Sequence, residues 1–282
     1  MAKAKVGDVE IVYEVVGDKG PVLALMPGAR RGSAEMKPLG ELIAAEGFRV
    51  LLHDRRGTGA SSMVFDDTAT EESIWADDLY KLLGQLNMLP AYISGSSSGA
   101  RTAVMYALRH PEALSGLLIM RVSGGPIATE RLPHNYYQVF IDLAEKGGMQ
   151  AVADSQRFRD YAATYPKARE ELLAMDVKRF IEIQKNLLRR FNEYAGERVM
   201  GATPEMLATI KVPTLVIPGN DHTHSSVSGL AANELIKGSE LHQLPITDQD
   251  VELIAWEDWK PHEAEIARVF VDFMRRAEKA RG

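Results

Sequence analysis

Ala91-Tyr92-Ile93-Ser94-Gly95-Ser96-Ser97-Ser98-Gly99-Ala100 is the stretch on which the reading of the chain turns. A short apolar run stops at Gly95, and a helical pattern begins at Ser98 and continues to His110. Between them stands G-x-S-x-G, Gly95 to Gly99, on what the flanking periodicities make a strand-to-helix turn. A serine at such a turn takes a strained backbone, so the residues two positions to either side must be small. The free N–H groups of the helix that follows then face a developing negative charge. The plain alternative is a Gly/Ser-rich surface loop, and the strand before and helix after argue against it.

Working outward, strands and helices alternate. Val9 to Val16 alternates apolar and polar residues as an edge strand does. Val22–Met26, Phe48–Leu52 and Leu114–Met120 are continuous apolar runs, the pattern of strands buried on both faces of a parallel sheet. Helical patterns lie between them at about 36–45 and 73–86. After Ser123-Gly124-Gly125-Pro126 the pattern changes. Residues 126–199 contain no buried strand and read as helices at about 136–145, 148–165 and 170–194. The alternation resumes with a strand at Thr214–Ile217, the loop Pro218-Gly219-Asn220-Asp221, a strand at 240–244 and an amphipathic helix from about Pro261 to Lys279. The expectation is an α/β core from residues 1–125 and 200–282, with 126–199 inserted as a helical cap over an eight-stranded, mostly parallel sheet.

Composition narrows the function. The 282 residues are 45% hydrophobic and 26% charged, ordinary for a globular protein. A net charge of −6 gives no electrostatic case for nucleic acid or an anionic membrane. There is no cysteine, so disulfides and thiolate metal sites are excluded. No apolar run approaches the length of a membrane span, and Met1-Ala2-Lys3-Ala4-Lys5 leads into no apolar targeting segment, so the cytoplasm is the expected compartment. The expected partner is a small-molecule substrate, and either a monomer or a homo-oligomer is compatible with the composition.

Four landmarks in order resemble the α/β-hydrolase fold, and the likeness covers nearly the whole chain. Leu25-Met26-Pro27-Gly28-Ala29 is similar to the oxyanion-loop segment, with Pro-Gly where His-Gly is often found. Asp54-Arg55-Arg56-Gly57-Thr58-Gly59-Ala60-Ser61 is similar to the D-x-R-G-x-G-x-S turn, Gly95 to Gly99 to the nucleophile turn, and Pro218 to Asp221 to the loop that carries the acid. The resemblance implies Ser97 as nucleophile, the N–H groups of Ala29 and Ser98 as oxyanion hole, Asp221 as the acid, and no cofactor. Asp221 has a second reading as a helix N-cap.

The histidine departs from the pattern. The resemblance implies an imidazole in the loop after the last strand, where this chain reads Ile246-Thr247-Asp248-Gln249-Asp250-Val251. A carboxylate alone is too weak a base to deprotonate a serine efficiently at neutral pH. Of the seven histidines, His53, His110, His242 and His262 read as structural, and His134 lies in the insertion. His222 and His224 directly follow Asp221 on the loop bordering the pocket, so one of them is the candidate base, with His224 carried forward. The same three residues superficially suit a divalent metal, but no further ligands are identifiable and no metal is expected. Arg30 and Arg121 follow strand ends at the ligand-binding edge of the sheet and suggest an anionic or carboxylate-bearing substrate.

Two functions follow. One is a serine hydrolase of a small ester, lactone or activated carbonyl compound. The other is a lyase, cofactor-independent enzyme or ligand-binding protein that keeps the fold without a complete Ser-His-Asp triad.

Overall fold

Apolar runs need shelter on both faces, and the sheet supplies it. A computed structural model describes residues 1–281. In chain order it contains β1 (Ala2–Val6), β2 (Val9–Val16), β3 (Val22–Met26), α1 (Lys37–Ala45), β4 (Arg49–His53), α2 (Glu71–Gln85), β5 (Ala91–Ser96), α3 (Ser98–Arg109) and β6 (Leu114–Met120). Five helices follow: α4 (Pro126–Pro133), α5 (Val139–Ala153), α6 (Gln156–Thr164), α7 (Ala168–Leu173) and α8 (Val177–Asn192). The chain closes with α9 (Pro204–Ala208), β7 (Thr214–Ile217), α10 (Ser226–Leu235), β8 (Glu240–Leu241) and α11 (Glu263–Arg281).

The eight strands form one sheet in the order β1-β2-β4-β3-β5-β6-β7-β8. The pairs β1–β2 and β2–β4 are antiparallel, and every pair from β4 to β8 is parallel. Every residue of β3, β5, β6 and β7 is buried, as their apolar content requires. One face of the sheet packs on α2, α3 and α10 and the other on α1 and α11. The eight-stranded, mostly parallel architecture expected from the sequence is therefore the one observed.

Local differences have local causes. β1 pairs with β2 through backbone hydrogen bonds while burying only Val6, so its hydropathy gave little strand signal. The expected strand at 240–244 keeps two residues in the ladder, both exposed. The expected helix at 170–194 is two helices, because the Asp176 carboxylate accepts the Arg179 N–H at 2.8 Å and starts α8.

Between β6 and β7, helices α4 to α8 contribute no strand, and they build apolar clusters of their own around Phe140, Val152 and Phe180 and around Leu132, Tyr137 and Leu187. They meet the loops after β3 and β4 through polar contacts. Arg30 Nη1 donates to the Tyr136 carbonyl at 2.9 Å. Tyr161 Oη donates to the Ser61 carbonyl and Thr164 Oγ1 to the Gly59 carbonyl, each at 2.6 Å. These loops sit at the carboxyl ends of parallel strands, the edge where open α/β sheets bind ligands.

Candidate active site

Ser97 stands between β5 and α3 with φ 57° and ψ −117°, a conformation that a non-glycine residue adopts only under constraint. The crowding around it explains the flanking glycines. A Cβ on Gly95 would lie 2.3 Å from the Gly99 carbonyl carbon, and one on Gly99 would lie 2.7 Å from the carbonyl oxygens of Met26 and Pro27. The turn thus presents a serine that is 8% exposed at the end of a fully buried strand.

The loop after β7 supplies the neighbours. Asp221 Oδ1 accepts the N–H groups of Thr223 and His224 at 2.9 and 2.7 Å, an Asx-turn arrangement that folds the chain back on itself. The return is tight: a Cβ on Gly219 would lie 2.1 Å from the His224 carbonyl oxygen. The fold-back puts His224 Nδ1 3.1 Å from both Asp221 carboxylate oxygens and His224 Nε2 2.8 Å from Ser97 Oγ. The N-cap role once open to Asp221 falls instead to Ser225, whose Oγ accepts the Ser228 N–H at 3.2 Å.

Further contacts fix the acid. Asp221 Oδ2 accepts the Ile254 N–H at 3.0 Å and Arg121 Nη2 at 3.2 Å, and Arg121 also donates to the Ile254 carbonyl. The segment that lacks a histidine frames the one that has it. The Val251 carbonyl accepts from His222 N–H at 3.0 Å, and the Glu252 carbonyl from Thr223 N–H at 3.1 Å. Asp248 binds Ser226 Oγ at 2.6 Å, Gln249 N–H donates to the Asn220 carbonyl at 2.8 Å, and Asp250 meets His222 Nε2 at 2.9 Å. His222 and His224 therefore turn to different partners and share no ligand-like geometry.

Charge follows from these contacts. Burial alone would raise the Asp221 carboxyl. His224 and the N–H groups of Ile254 and His224 outweigh it and hold the carboxyl well below the usual carboxylate range. Burial pushes His224 down to about 4; the Asp221 hydrogen bond opposes this and the Arg121 charge reinforces it. At neutral pH the ring is an uncharged acceptor for the Ser97 hydroxyl proton, with an anion positioned to stabilise the cation that forms.

On the opposite side, Ala29 turns at φ 45°, and no hydrogen bond to its N–H or to that of Ser98 occurs among the described residues. Arg55 holds this loop from beneath. Its Nη2 donates to the Pro27 carbonyl at 3.2 Å and the Ala29 carbonyl at 2.8 Å, its Nη1 donates to Ser98 Oγ at 3.1 Å, and Ser98 Oγ donates to the Ala29 carbonyl at 2.6 Å. The guanidinium is 4.4 Å from the centre of the Trp75 ring. Sequence reasoning passed over Arg55, although it lies in the quoted Asp54–Ser61 turn, because nothing in that motif says toward which loop its side chain points.

The remaining candidates separate. A cavity of about 50 Å³ is lined by Ser97, His224, Gly28, Ala29, Arg121 and Trp256, among others. Arg121 belongs to this cavity, but its Nη2 is committed to Asp221 and Ile254. Arg30 does not line it, and lines instead the neighbouring cavities toward the helical segment. Its Nη1 reaches the Tyr136 carbonyl and its Nη2 meets Glu71 at 2.6 Å, because the helical segment offers acceptors that the sequence could not locate. His110 binds Asp77 at 2.8 Å and His242 binds Glu265 at 3.0 Å, while His53 is buried with both ring nitrogens unpartnered.

Comparison with known proteins bears on the family and the fold. Residues 18–223 match a family described as serine aminopeptidase, S33, a span that takes in Ser97 and Asp221 and stops one residue before His224. A putative carbamate hydrolase of Agrobacterium fabrum is 28% identical over 83% of this chain and 90% of its own. A 2-hydroxy-6-oxononadienedioate/2-hydroxy-6-oxononatrienedioate hydrolase of Paraburkholderia xenovorans is 26% identical over 95% of this chain and 91% of its own. Among solved structures, an enol-lactonase from Burkholderia xenovorans superposes with a TM-score of 0.65 at 20% identity, covering 97% of this chain and all of its own. A meta-cleavage product hydrolase from Pseudomonas fluorescens reaches 0.66 at 18% identity, covering 98% of each chain. Among the described residues no helix is long and apolar enough to cross a membrane.

Proposed function

Because the chain belongs to the serine aminopeptidase S33 family of α/β hydrolases, we propose that it is a serine hydrolase whose triad is Ser97, His224 and Asp221. The observation that carries this reading is the 2.8 Å separation of His224 Nε2 and Ser97 Oγ, with Asp221 on the far side of the same ring.

The chemistry proceeds as acyl transfer. Ser97 Oγ attacks the substrate carbonyl carbon while His224 Nε2 takes the hydroxyl proton. The carbonyl oxygen becomes an oxyanion and accepts from the Ala29 and Ser98 N–H groups. Collapse breaks the bond to the leaving oxygen, which takes the proton from His224 and departs as an alcohol. Water then attacks the acyl-enzyme, gives its proton to His224, and the second collapse returns that proton to Ser97. Throughout, Asp221 keeps the proton of the neutral ring on Nδ1 and stabilises the imidazolium.

The substrate class this supports is a small ester, lactone or activated carbonyl compound, in line with relatives named as putative carbamate hydrolase, bifunctional esterase/perhydrolase and 2-hydroxy-6-oxononadienedioate/2-hydroxy-6-oxononatrienedioate hydrolase. Residues 126–199 act in this reading as a helical cap that closes over the pocket, seated by the Tyr161–Ser61 and Thr164–Gly59 hydrogen bonds. The alternative of a fold without a base loses its motive, since His224 stands within hydrogen-bond reach of Ser97. Ser97→Ala tests the assignment: hydrolysis of p-nitrophenyl esters should vanish while Tm changes little, because only a hydroxyl facing a cavity is removed. Activity that survives the substitution overturns the reading.

A further inference from the structure

Beyond the Ser97 cavity lies a second one of about 50 Å³, between the core and helices α5, α6 and α8, lined by Arg30, Arg56 and Arg157 against Phe140, Phe158 and Leu187. The three arginines arrive from the loop after β3, the loop after β4 and α6. Two are neutralised: Arg30 meets Glu71 at 2.6 Å, and Arg56 forks onto Asp78 at 2.7 and 3.0 Å. Arg157 has no carboxylate partner among the described residues. Its Nη2 donates to the Gly57 carbonyl at 2.6 Å, and its aliphatic and aromatic surroundings include the rings of Phe158 and Tyr161.

Each of the three guanidiniums also keeps a nitrogen sealed from solvent without an acceptor: Arg30 Nε, Arg56 Nη1 and Arg157 Nε. Buried donors of this kind carry a cost when they go unpaired. Neither lining carboxylate hydrogen-bonds to Arg157. Glu71 is taken by Arg30 and by Tyr137 Oη at 3.0 Å, and Asp66 Oδ1 is taken by the N–H and hydroxyl of Thr68. Burial pushes Arg157 down to about 10, with Arg30 adding to the effect and Glu71, Tyr161 and Asp160 opposing it.

The cavity also neighbours the site of the chemistry. A larger cavity of about 590 Å³ shares Arg30, Phe140 and Arg157 with it, and shares Ala29, Arg31 and Glu35 with the Ser97 cavity. A substrate with its carbonyl at Ser97 would pass Ala29 to reach Arg157. We propose that the Arg157 cavity is a subsite for a carboxylate at the end of the substrate remote from the scissile carbonyl, making this a hydrolase of half-esters or lactones of dicarboxylic acids. The orientation of the substrate rests on the serine-hydrolase reading; the anion site does not.

The test uses p-nitrophenyl monoesters of dicarboxylic acids from succinate to suberate, set against p-nitrophenyl esters of the matching monocarboxylic acids. Wild-type protein should favour the anionic ester at one chain length, and Arg157→Gln should lower that kcat/KM ratio about ten- to hundredfold, mainly through KM. Arg157→Lys, which keeps the charge and loses the fork, should give an intermediate ratio and serves if the glutamine variant does not fold. Calorimetric titration of Ser97→Ala protein with the free dicarboxylates reads the subsite without hydrolysis, and adding Arg157→Gln should weaken binding at least about tenfold. Arg157-dependent binding in a protein whose hydrolysis does not need Ser97 would sustain the subsite and sink the triad. No anionic preference at any chain length, or dicarboxylate binding indifferent to Arg157, overturns the subsite.

Discussion

Asp221 and His224 stand three residues apart on one loop, with both carboxylate oxygens of Asp221 3.1 Å from His224 Nδ1. Acid and base thus share a single turn, and the same carboxylate accepts the N–H groups of Thr223, His224 and Ile254. Asp221→Asn removes the charge and offers the ring a donor as readily as an acceptor. We expect kcat to fall by a factor on the order of 10⁴, as for a triad whose imidazole is held in the wrong tautomer. Tm should fall with it, since the three N–H groups lose an ionised acceptor. Steady-state kinetics and a thermal melt check both, and a variant with near-wild-type kcat would remove Asp221 from the mechanism.

The acid limb of the pH profile belongs to His224. Ordinary imidazole would place it near 6.5, but burial holds this ring at about 4. Activity should therefore stay on its plateau to about pH 5 and halve near 4. The sign for stability is the same. A group whose folded value lies below its unfolded one contributes in full above about pH 6.5, and its contribution is lost as the pH falls toward 4. Asp221, also depressed, extends the loss below the usual carboxylate range. Arg121 is one of the charges pushing His224 down, so Arg121→Met should move the limb upward. A wild-type limb near 6.5, or one that moves down in Arg121→Met, contradicts the assignment.

Arg55 is the support of the oxyanion loop. A lysine retains the charge but cannot reach Pro27, Ala29 and Ser98 with a single ammonium in the geometry of the guanidinium fork. Arg55→Lys should lower kcat about ten- to hundredfold through a displaced Ala29 N–H, with KM little changed. A raised KM at constant kcat would instead assign Arg55 to ground-state binding.

The fold was legible because its strands are apolar runs with no other place to go: Val22–Met26, Leu114–Met120 and Thr214–Ile217 read as buried and are buried. Ser97 was legible for the same local reason, a glycine pair around a serine at a change of period. The base was half legible. Asp221-His222-Thr223-His224 holds both candidates, and what separates them is the Asx turn at Asp221, which returns residue 224 and leaves residue 222 facing Asp250. The contact of Arg30 with Tyr136 was not legible, because the two lie 106 positions apart in the chain. Arg157 was invisible for a similar reason, since the rotation of α6 decides which charges of a helical segment face inward. The frame that Ile254 and Val251 build is made of backbone groups, and no side chain announces it.

The proposed mechanism rests on His224, from the loop after β7, as the base for Ser97. The most direct measurement is the rate at which a fluorophosphonate labels the protein, with the adduct located by peptide mass. One adduct is expected, on Ser97, formed at the wild-type rate in His222→Ala and more slowly by a factor on the order of 10²–10⁴ in His224→Ala. Labelling of His224→Ala at the wild-type rate, or an adduct on any other residue, would contradict it.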